Sequence, residues 1–579
     1  MSDEIPAHGG ALVSRVVPPE RAEPLKEASM GLPSLTLSLR QLCDLELIAN
    51  GGFSPLQGFM GEADYHGVLE RMRLQSGALW PIPITLEVSE EQANTMEQGS
   101  PVALRDNEGF MLAVLMVAEV FSPEPKLEAE RIYATCSTQH PEVARLMAGP
   151  PRCYLGGTIE AVQLPNHYDF ASLRYTPVEL REYFARVGWR QVVALHTSKP
   201  VHRMQRTLCM EAVKRANAHL LIHPVVGISR PGDVSYYTRV KCYRAVERYF
   251  PHGVAMLALL PMAMRMAGPR AALWHAIVRR NYGCSHFVIA NDHGSPPRSN
   301  EAMRGLFGPY AAQDLVKEHE REVGIEVVGF ERQVYSPERR RFVALSEVGS
   351  AEVADLYTSE FDRRLAMEEP VPAWYTYPEV IAVLRAANPP RRKMGLTLFF
   401  TGLSGAGKST IAKIVYGKLI EDGTRPVTLL DGDVVRLNLS SELGFSKAHR
   451  DLNVRRIGFV AAEITKNRGV AICAPIAPYL ATRSAVRETV SEHGAFIEIH
   501  VSTPLEVCEA RDRKGLYAKA RKGLIAEFTG VSDPYEVPEG PEMRIDTSSM
   551  SPMEAGEEVY LYLVRQGFID TGDTVEAHV

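Results

Sequence analysis

No C-x-x-C pair occurs among the eight cysteines (Cys43, Cys136, Cys153, Cys209, Cys242, Cys284, Cys473 and Cys508), which argues against a structural zinc or a disulfide framework and predicts buried thiols. Neither sign of charge dominates. The formal net charge is -6, so no chain-wide basic field points to nucleic acid. No apolar run is long enough to cross a bilayer: the most apolar, Gly253 to Met264, contains Pro261, stops at Arg265 and predicts buried core, with no membrane partner. The start, Met1-Ser2-Asp3-Glu4-Ile5-Pro6, lacks the basic and apolar regions of a secretory signal, so a cytoplasmic location is expected. What is present is the composition of a folded protein, 45% hydrophobic and 23% charged, over 579 residues, which is too long for one ordinary core and predicts several domains.

The chemistry concentrates in Gly402-Leu403-Ser404-Gly405-Ala406-Gly407-Lys408-Ser409, which follows the apolar run Leu396 to Phe400 and precedes apolar positions at helical spacing (Ile411, Ala412, Ile414, Val415, Leu419). Strand, glycine-rich loop and helix in that order make a phosphate-binding loop rather than a simple turn. Backbone N–H groups around Gly402, Ser404, Gly405, Ala406 and Gly407 would face a polyphosphate at a helix N-terminus. Lys408 would reach the β and γ phosphates, and Ser409 would ligate Mg2+. A second buried strand, Val427 to Leu430, delivers Asp431-Gly432-Asp433 to the same sheet edge, where carboxylates can hold Mg2+ and orient an acceptor hydroxyl. Arg436, Arg450, Arg455 and Arg456 crowd the region that follows. That density suggests a dianionic second substrate, because a guanidinium donates two parallel hydrogen bonds to phosphate or sulfate.

Residues 1 to about 30 are polar and proline-containing, and predict a loosely held arm. Leu39 to Ala49 has a helical pattern ended by Asn50-Gly51-Gly52 and followed by Phe53-Ser54-Pro55-Leu56-Gln57-Gly58-Phe59-Met60. This stretch resembles the N-terminal domain of the ATP sulfurylase family. Short strands broken by Gly and Pro continue to about 165, after which strands alternate with helices, including Gln191 to Leu195 and His286 to Ala290, so a parallel sheet is expected. Pro372 to Val380 resembles the segment that closes the sulfurylase, and Asn388 to Lys393 reads as a polar linker. In the family the two loops at these strand ends read Q-T-R-N-P-x-H-x-x-H and G-R-D-H-A-G. Here they are His196-Thr197-Ser198-Lys199-Pro200-Val201-His202-Arg203-Met204-Gln205 and Ala290-Asn291-Asp292-His293-Gly294-Ser295. The family's Gln, Arg, Asn and second His have become His196, Ser198, Lys199 and Gln205, and Asn291 stands where the second arginine would be. Losing two charge-assisted contacts would cost about 3–6 kcal/mol, roughly two to four orders of magnitude in rate. His202 and His293 are then relics of a site that has lost adenylyl transfer. A bifunctional synthase, and a regulatory or assembly module, are the alternatives.

From 395 to 570 the motifs G-L-S-G-x-G-K-S-T, L-D-G-D-x-V-R, L-G-F-S and N-x-R-R-I-G, followed by Pro504 to Asp512 and Lys514 to Arg521, resemble the adenylylsulfate (APS) kinase family. The resemblance implies transfer of a phosphoryl group from ATP, with Mg2+, to the 3'-hydroxyl of APS. It implies Asp433, Lys408 and Asp431 as catalytic residues, with Ser409 and Asp431 at the metal, and it adds Thr410 and Arg511 to the ATP contacts. For APS it implies Asp433, Arg436, Phe445, Arg450, Asn453, Ile476, Lys514 and Leu516, with Lys514 to Arg521 as a lid. The family's F-I-S-P-Y-R is Pro475-Ile476-Ala477-Pro478-Tyr479-Leu480 here, without the serine and the arginine. The expected class is α/β. A β-rich domain (1–170), a Rossmann-like nucleotidyltransferase-type domain (171–330) and a closing subdomain (331–390) precede a P-loop kinase domain (391–579), and the whole is expected to form a homo-oligomer.

Overall fold

The computed structural model describes residues 5–569 apart from 151, 229–232, 297–302, 304, 350–352, 445, 513–514 and 526, and apart from the side chain of Asp433. The chain forms two compact units, residues 1–361 with 371–384, and residues 362–370 with 385–579.

The first unit begins with a sheet of six strands: β1 (Ser34–Thr36), β2 (Gly58–Phe59), β3 (Leu86–Ser89), β4 (Pro101–Arg105), β5 (Met111–Phe121) and β6 (Arg152–Ala161). Their order is β1-β4-β5-β6-β2, with β3 also on β6, and every pairing except β1–β4 is antiparallel. A parallel sheet follows, made of β7 (Val192–Leu195), β8 (His219–Ile222), β9 (Ala255–Leu257), β10 (His286–Ile289) and β11 (Glu326–Gly329) in the order β11-β10-β7-β8-β9. β7 and β10 are buried along their whole length, as apolar strands covered by crossover helices on both faces must be. One continuous apolar core runs from Leu35 to Ile325, so the two sheets share an interior. A hairpin, β12 (Gln333–Ser336) with β13 (Arg341–Ala344), comes after them.

Two expectations fail here. The segment before β1 is no loose arm: His8 is buried, its N–H donating to Asn281 Oδ1 at 2.9 Å and its Nε2 sitting 2.8 Å from Leu79 O, and Pro19–Ser29 is a helix that buries Ala22 and Leu25. Polarity misleads because the two partners that seat His8 lie 71 and 273 residues away. Nor are all the thiols buried. Cys136 is exposed and Cys153 half-buried.

In the second unit β14 (Leu396–Thr401), β15 (Val427–Leu430), β16 (Val470–Cys473), β17 (Ala495–Val501) and β18 (Met543–Ile545) form a wholly parallel sheet in the order β15-β16-β14-β17-β18. All six residues of β14 are buried at its centre. No helix among the described residues is long and apolar enough to cross a membrane.

Candidate functional site

β14 runs into the Gly402–Gly407 loop, and the helix Lys408–Asp422 starts directly after it. Gly402 has φ +146°, and a Cβ there would lie 2.4 Å from Val501 O at the end of β17, so only glycine lets the loop leave the strand this close to its neighbour. Ala406 is buried, Gly405 and Thr410 are exposed, and Ser404 and Ser409 are half-buried at the mouth of the loop. Lys408 is buried, with Nζ donating to Leu403 O at 2.8 Å. Leu430 of β15 and Phe399 of β14 both pair with Cys473 of β16, so Asp431 leaves its strand level with Phe400, two residues before the loop begins, about two strand spacings (~10 Å) to the side. Gly432–Leu439 is a helix that carries the Asp433 backbone in its first turn.

The arginines have been drawn into two places. Arg450 Nη1 donates to Thr529 Oγ1 and Nη2 to Tyr479 OH, both at 2.8 Å, and the guanidinium lies 3.0 Å from Asp533. Tyr479 OH in turn donates to Asp533 Oδ2 at 2.6 Å, and burial of the phenol together with that carboxylate pushes its pKa up. Arg436 Nη1 donates to the carbonyls of Leu443 and Gly444. Asn453 is buried, and its Oδ1 finds no partner among the described residues. Ile476 contributes its backbone, accepting from Thr401 Oγ1 at 2.7 Å. Arg511 donates to Thr547 through both terminal nitrogens. Leu516 opens the helix Leu516–Arg521, which lies against the phosphate loop because Tyr517 OH donates to Ser404 O at 2.9 Å. Phe445 and Lys514 lie outside the described residues.

In the first unit the structure splits the sequence candidates. His196, just past β7, and His293, in the turn after β10, come together with a centroid separation of 4.9 Å. Between them stands His275, on the helix Pro269–Asn281, whose Nδ1 is 2.9 Å from His293 Nε2. One turn further along that helix Arg279 is fully buried and donates from Nη2 to His196 Nδ1 and to His223 O, both at 3.0 Å. Burial away from water pulls the Arg279 pKa down to about 9, and burial with the neighbouring His293 and Arg279 holds His275 well below its ordinary value. Ser198 is buried beside this cluster's loop, Lys199 is exposed, and Asn291 is half-buried. His202 and Gln205 point elsewhere. Gln205 Oε1 accepts the His202 N–H to start the helix Arg203–Ala216, while His202 Nδ1 is 2.8 Å from Thr376 Oγ1 and its ring packs on Tyr375. The partners His275 and Arg279 were missed; their i, i+4 spacing, which sets both on one helix face, was the available signal. Nitrogens of His196, His275 and His293 lie within 4.8 Å of one another. The guanidinium donating into His196 Nδ1 would sit against any cation held there, so the cluster is better described as a hydrogen-bonded network than as a metal shell.

A P-loop phosphotransferase domain and a doubly wound parallel-sheet domain of nucleotidyltransferase type thus share one chain. Family models agree: a PUA-like domain matches residues 5–164, ATP-sulfurylase residues 171–387 and adenylylsulphate kinase residues 394–546. The chain is 45% identical over 570 residues to a sulfate adenylyltransferase of Phaeosphaeria nodorum, covering 97% of this chain and 99% of that one. It is also 45% identical to the Coccidioides immitis protein of the same name over 98% and 99% of the two chains. Among solved structures it resembles a hexameric APS kinase from Thiobacillus denitrificans, with a TM-score of 0.79 and 39% identity, covering 98% of this chain and 100% of that one. The chain belongs to the family that joins an ATP sulfurylase to an adenylylsulfate kinase in one polypeptide.

Proposed function

We propose that the second unit transfers the γ-phosphoryl group of ATP to the 3'-hydroxyl of APS, giving 3'-phosphoadenylylsulfate and ADP. The observation that carries this is the placement of the Gly402–Ser409 loop and Asp431 at one edge of a parallel sheet, within the region matched by the kinase family. Lys408 would exchange the Leu403 carbonyl for phosphate oxygens as charge builds on the transferred group. The Ser409 hydroxyl and the Asp431 carboxylate are hard oxygen donors that would hold Mg2+, whose charge would offset that of the phosphates. Asp433 would orient the acceptor hydroxyl, since a loose transition state asks more for alignment than for early proton removal. Arg436, Phe445, Arg450, Asn453, Ile476, Lys514 and Leu516 would hold APS, Thr410 and Arg511 would contact ATP, and the segment from Lys514 to Arg521 would close over both substrates. ATP as co-substrate supports a cytoplasmic setting, and the hexameric APS kinase it resembles supports a homo-oligomer.

For the first unit we propose that adenylyl transfer has been lost. Ser198 and Asn291 offer no guanidinium, and the nearby Arg279 is committed to His196 and to the His223 carbonyl. The sulfate adenylyltransferase name of relatives at 45% identity favours a second possibility, a synthase active at both sites. The experiment is ATP formation from APS and pyrophosphate by a Lys408→Ala variant, in which the kinase cannot consume either nucleotide. A rate equal to the no-enzyme control is expected, and robust ATP production would establish the bifunctional enzyme. In the forward kinase assay Lys408→Ala and Asp433→Ala should both be inactive; normal turnover in either removes it from the site.

A further inference from the structure

Two buried threonines stand at the carboxyl ends of adjacent strands, Thr503 two residues past β17 and Thr547 two residues past β18. Both hydroxyls approach one carbonyl of the phosphate loop: Ala406 O is 3.0 Å from Thr547 Oγ1 and 3.2 Å from Thr503 Oγ1, and the two hydroxyls are 2.8 Å apart. Each hydroxyl has one proton to give. The short distances are satisfied together when Thr503 donates to Thr547 Oγ1 and Thr547 donates to Ala406 O. Arg511 completes the chain, its Nη1 donating to Thr547 Oγ1 at 2.7 Å and its Nη2 to Thr547 O at 2.6 Å. A hydroxyl that accepts from a guanidinium is a stronger donor, so the bond to Ala406 is reinforced by the charge behind it.

The peptide that follows makes this matter. Because the Ala406–Gly407 peptide is planar and trans, fixing its carbonyl toward Thr547 turns the Gly407 N–H the opposite way. Gly407 has φ +107° and lies directly beside Thr547, where a Cβ would be 3.6 Å from the threonine methyl group. A glycine in that region of backbone space rotates freely unless something holds it. We infer that Thr547 is a positioning residue for ATP: it ties the place of the Arg511 guanidinium to the orientation of the Ala406–Gly407 peptide, so that one end of the nucleotide site sets the other. The inference rests on the loop binding ATP, as proposed above.

The test is steady-state phosphorylation of APS by the full chain carrying Thr547→Val, which keeps the shape and loses the hydroxyl, or Thr547→Ser, which keeps the hydroxyl. Thr547→Val should raise KM for ATP about tenfold, the worth of one charge-assisted hydrogen bond, and leave KM for APS within about twofold. Thr547→Ser should restore KM for ATP to within about twofold of the original. In a cycle with Arg511→Ala, the double variant should raise KM for ATP by less than the product of the single effects, because both act through one bond. An unchanged KM for ATP in Thr547→Val, parallel rises in both KM values, or a multiplicative double variant would overturn the inference. Should Thr547→Val not fold, Thr503→Val interrupts the same chain one bond further out with an expected rise of about threefold, and an unchanged KM there counts equally against it. A wild-type chain that does not phosphorylate APS would instead defeat the proposed function, and the dissociation constant for ADP in the same variants then decides the inference.

Discussion

Acid should loosen the first unit through His202, and the size of the effect can be worked out. Burial, with the Lys199 charge nearby, pushes the His202 pKa down to about 4, against 6.5 for an unperturbed histidine. A base whose folded pKa is depressed costs nothing while both states are neutral, above the unfolded value. As pH falls below 6.5 the unfolded chain takes up the proton first, and stability is lost until the folded pKa is passed. From neutral pH to about pH 5 this amounts to about 2 kcal/mol, and to at most roughly 3.4 kcal/mol at lower pH. His223 and His275, buried in the same unit and shifted in the same direction, add to it. Thermal unfolding at about pH 7.5 and pH 5 should therefore show a smaller acid loss in His202→Gln than in wild type, by about 2 kcal/mol, since glutamine can still pair with Thr376 and does not titrate. Equal acid losses in the two proteins would mean that His202 is protonated in the fold, and the calculation fails.

Two further outcomes follow from the kinase geometry. Gly402→Ala places a methyl group 2.4 Å from a carbonyl of β17 in a backbone region hostile to side chains, so it should cost about 2–4 kcal/mol in thermal unfolding and abolish kinase turnover. Turnover near wild type would show that the loop has room to move. Arg450→Lys removes the fork that joins Thr529, Tyr479 and Asp533, and should raise KM for APS about tenfold with little change for ATP. A matching rise for ATP would assign that arginine to the other substrate.

The phosphate loop was legible because its parts are local. Eight residues from Gly402 to Ser409 hold the strand exit, the cradle and the helix start, and the density of arginines after Asp433 was visible beside them. Even there, the reason Gly402 must be glycine is the carbonyl of Val501, a hundred residues away and absent from any motif. The sulfurylase-type loops were legible as loops at strand ends, but their internal arrangement was not. His196 and His202 sit six residues apart in one segment, yet the first turns to His275 and the second to Thr376, because His202 is already the cap of the helix that begins at Arg203. Thr503 and Thr547 were invisible as site residues. Threonine carries no signal until two strand ends are brought side by side. The segment before β1 failed for a related reason, since nothing within it shows that its anchors, Asn281 for His8 and Arg181 for Ile5, lie far along the chain.

That segment has a consequence for how the polypeptide is made. His8 is seated by Asn281, and Ile5 O accepts from Arg181, so its contacts close across 273 and 176 residues. At a synthesis rate of about 5–20 residues per second, His8 waits on the order of 15–55 s after it is made before its partner exists. Through that interval the β-rich sheet must hold without the strap that later binds it to the helix Pro269–Asn281, and a chaperone or a protease has its best access to the newborn chain at this segment.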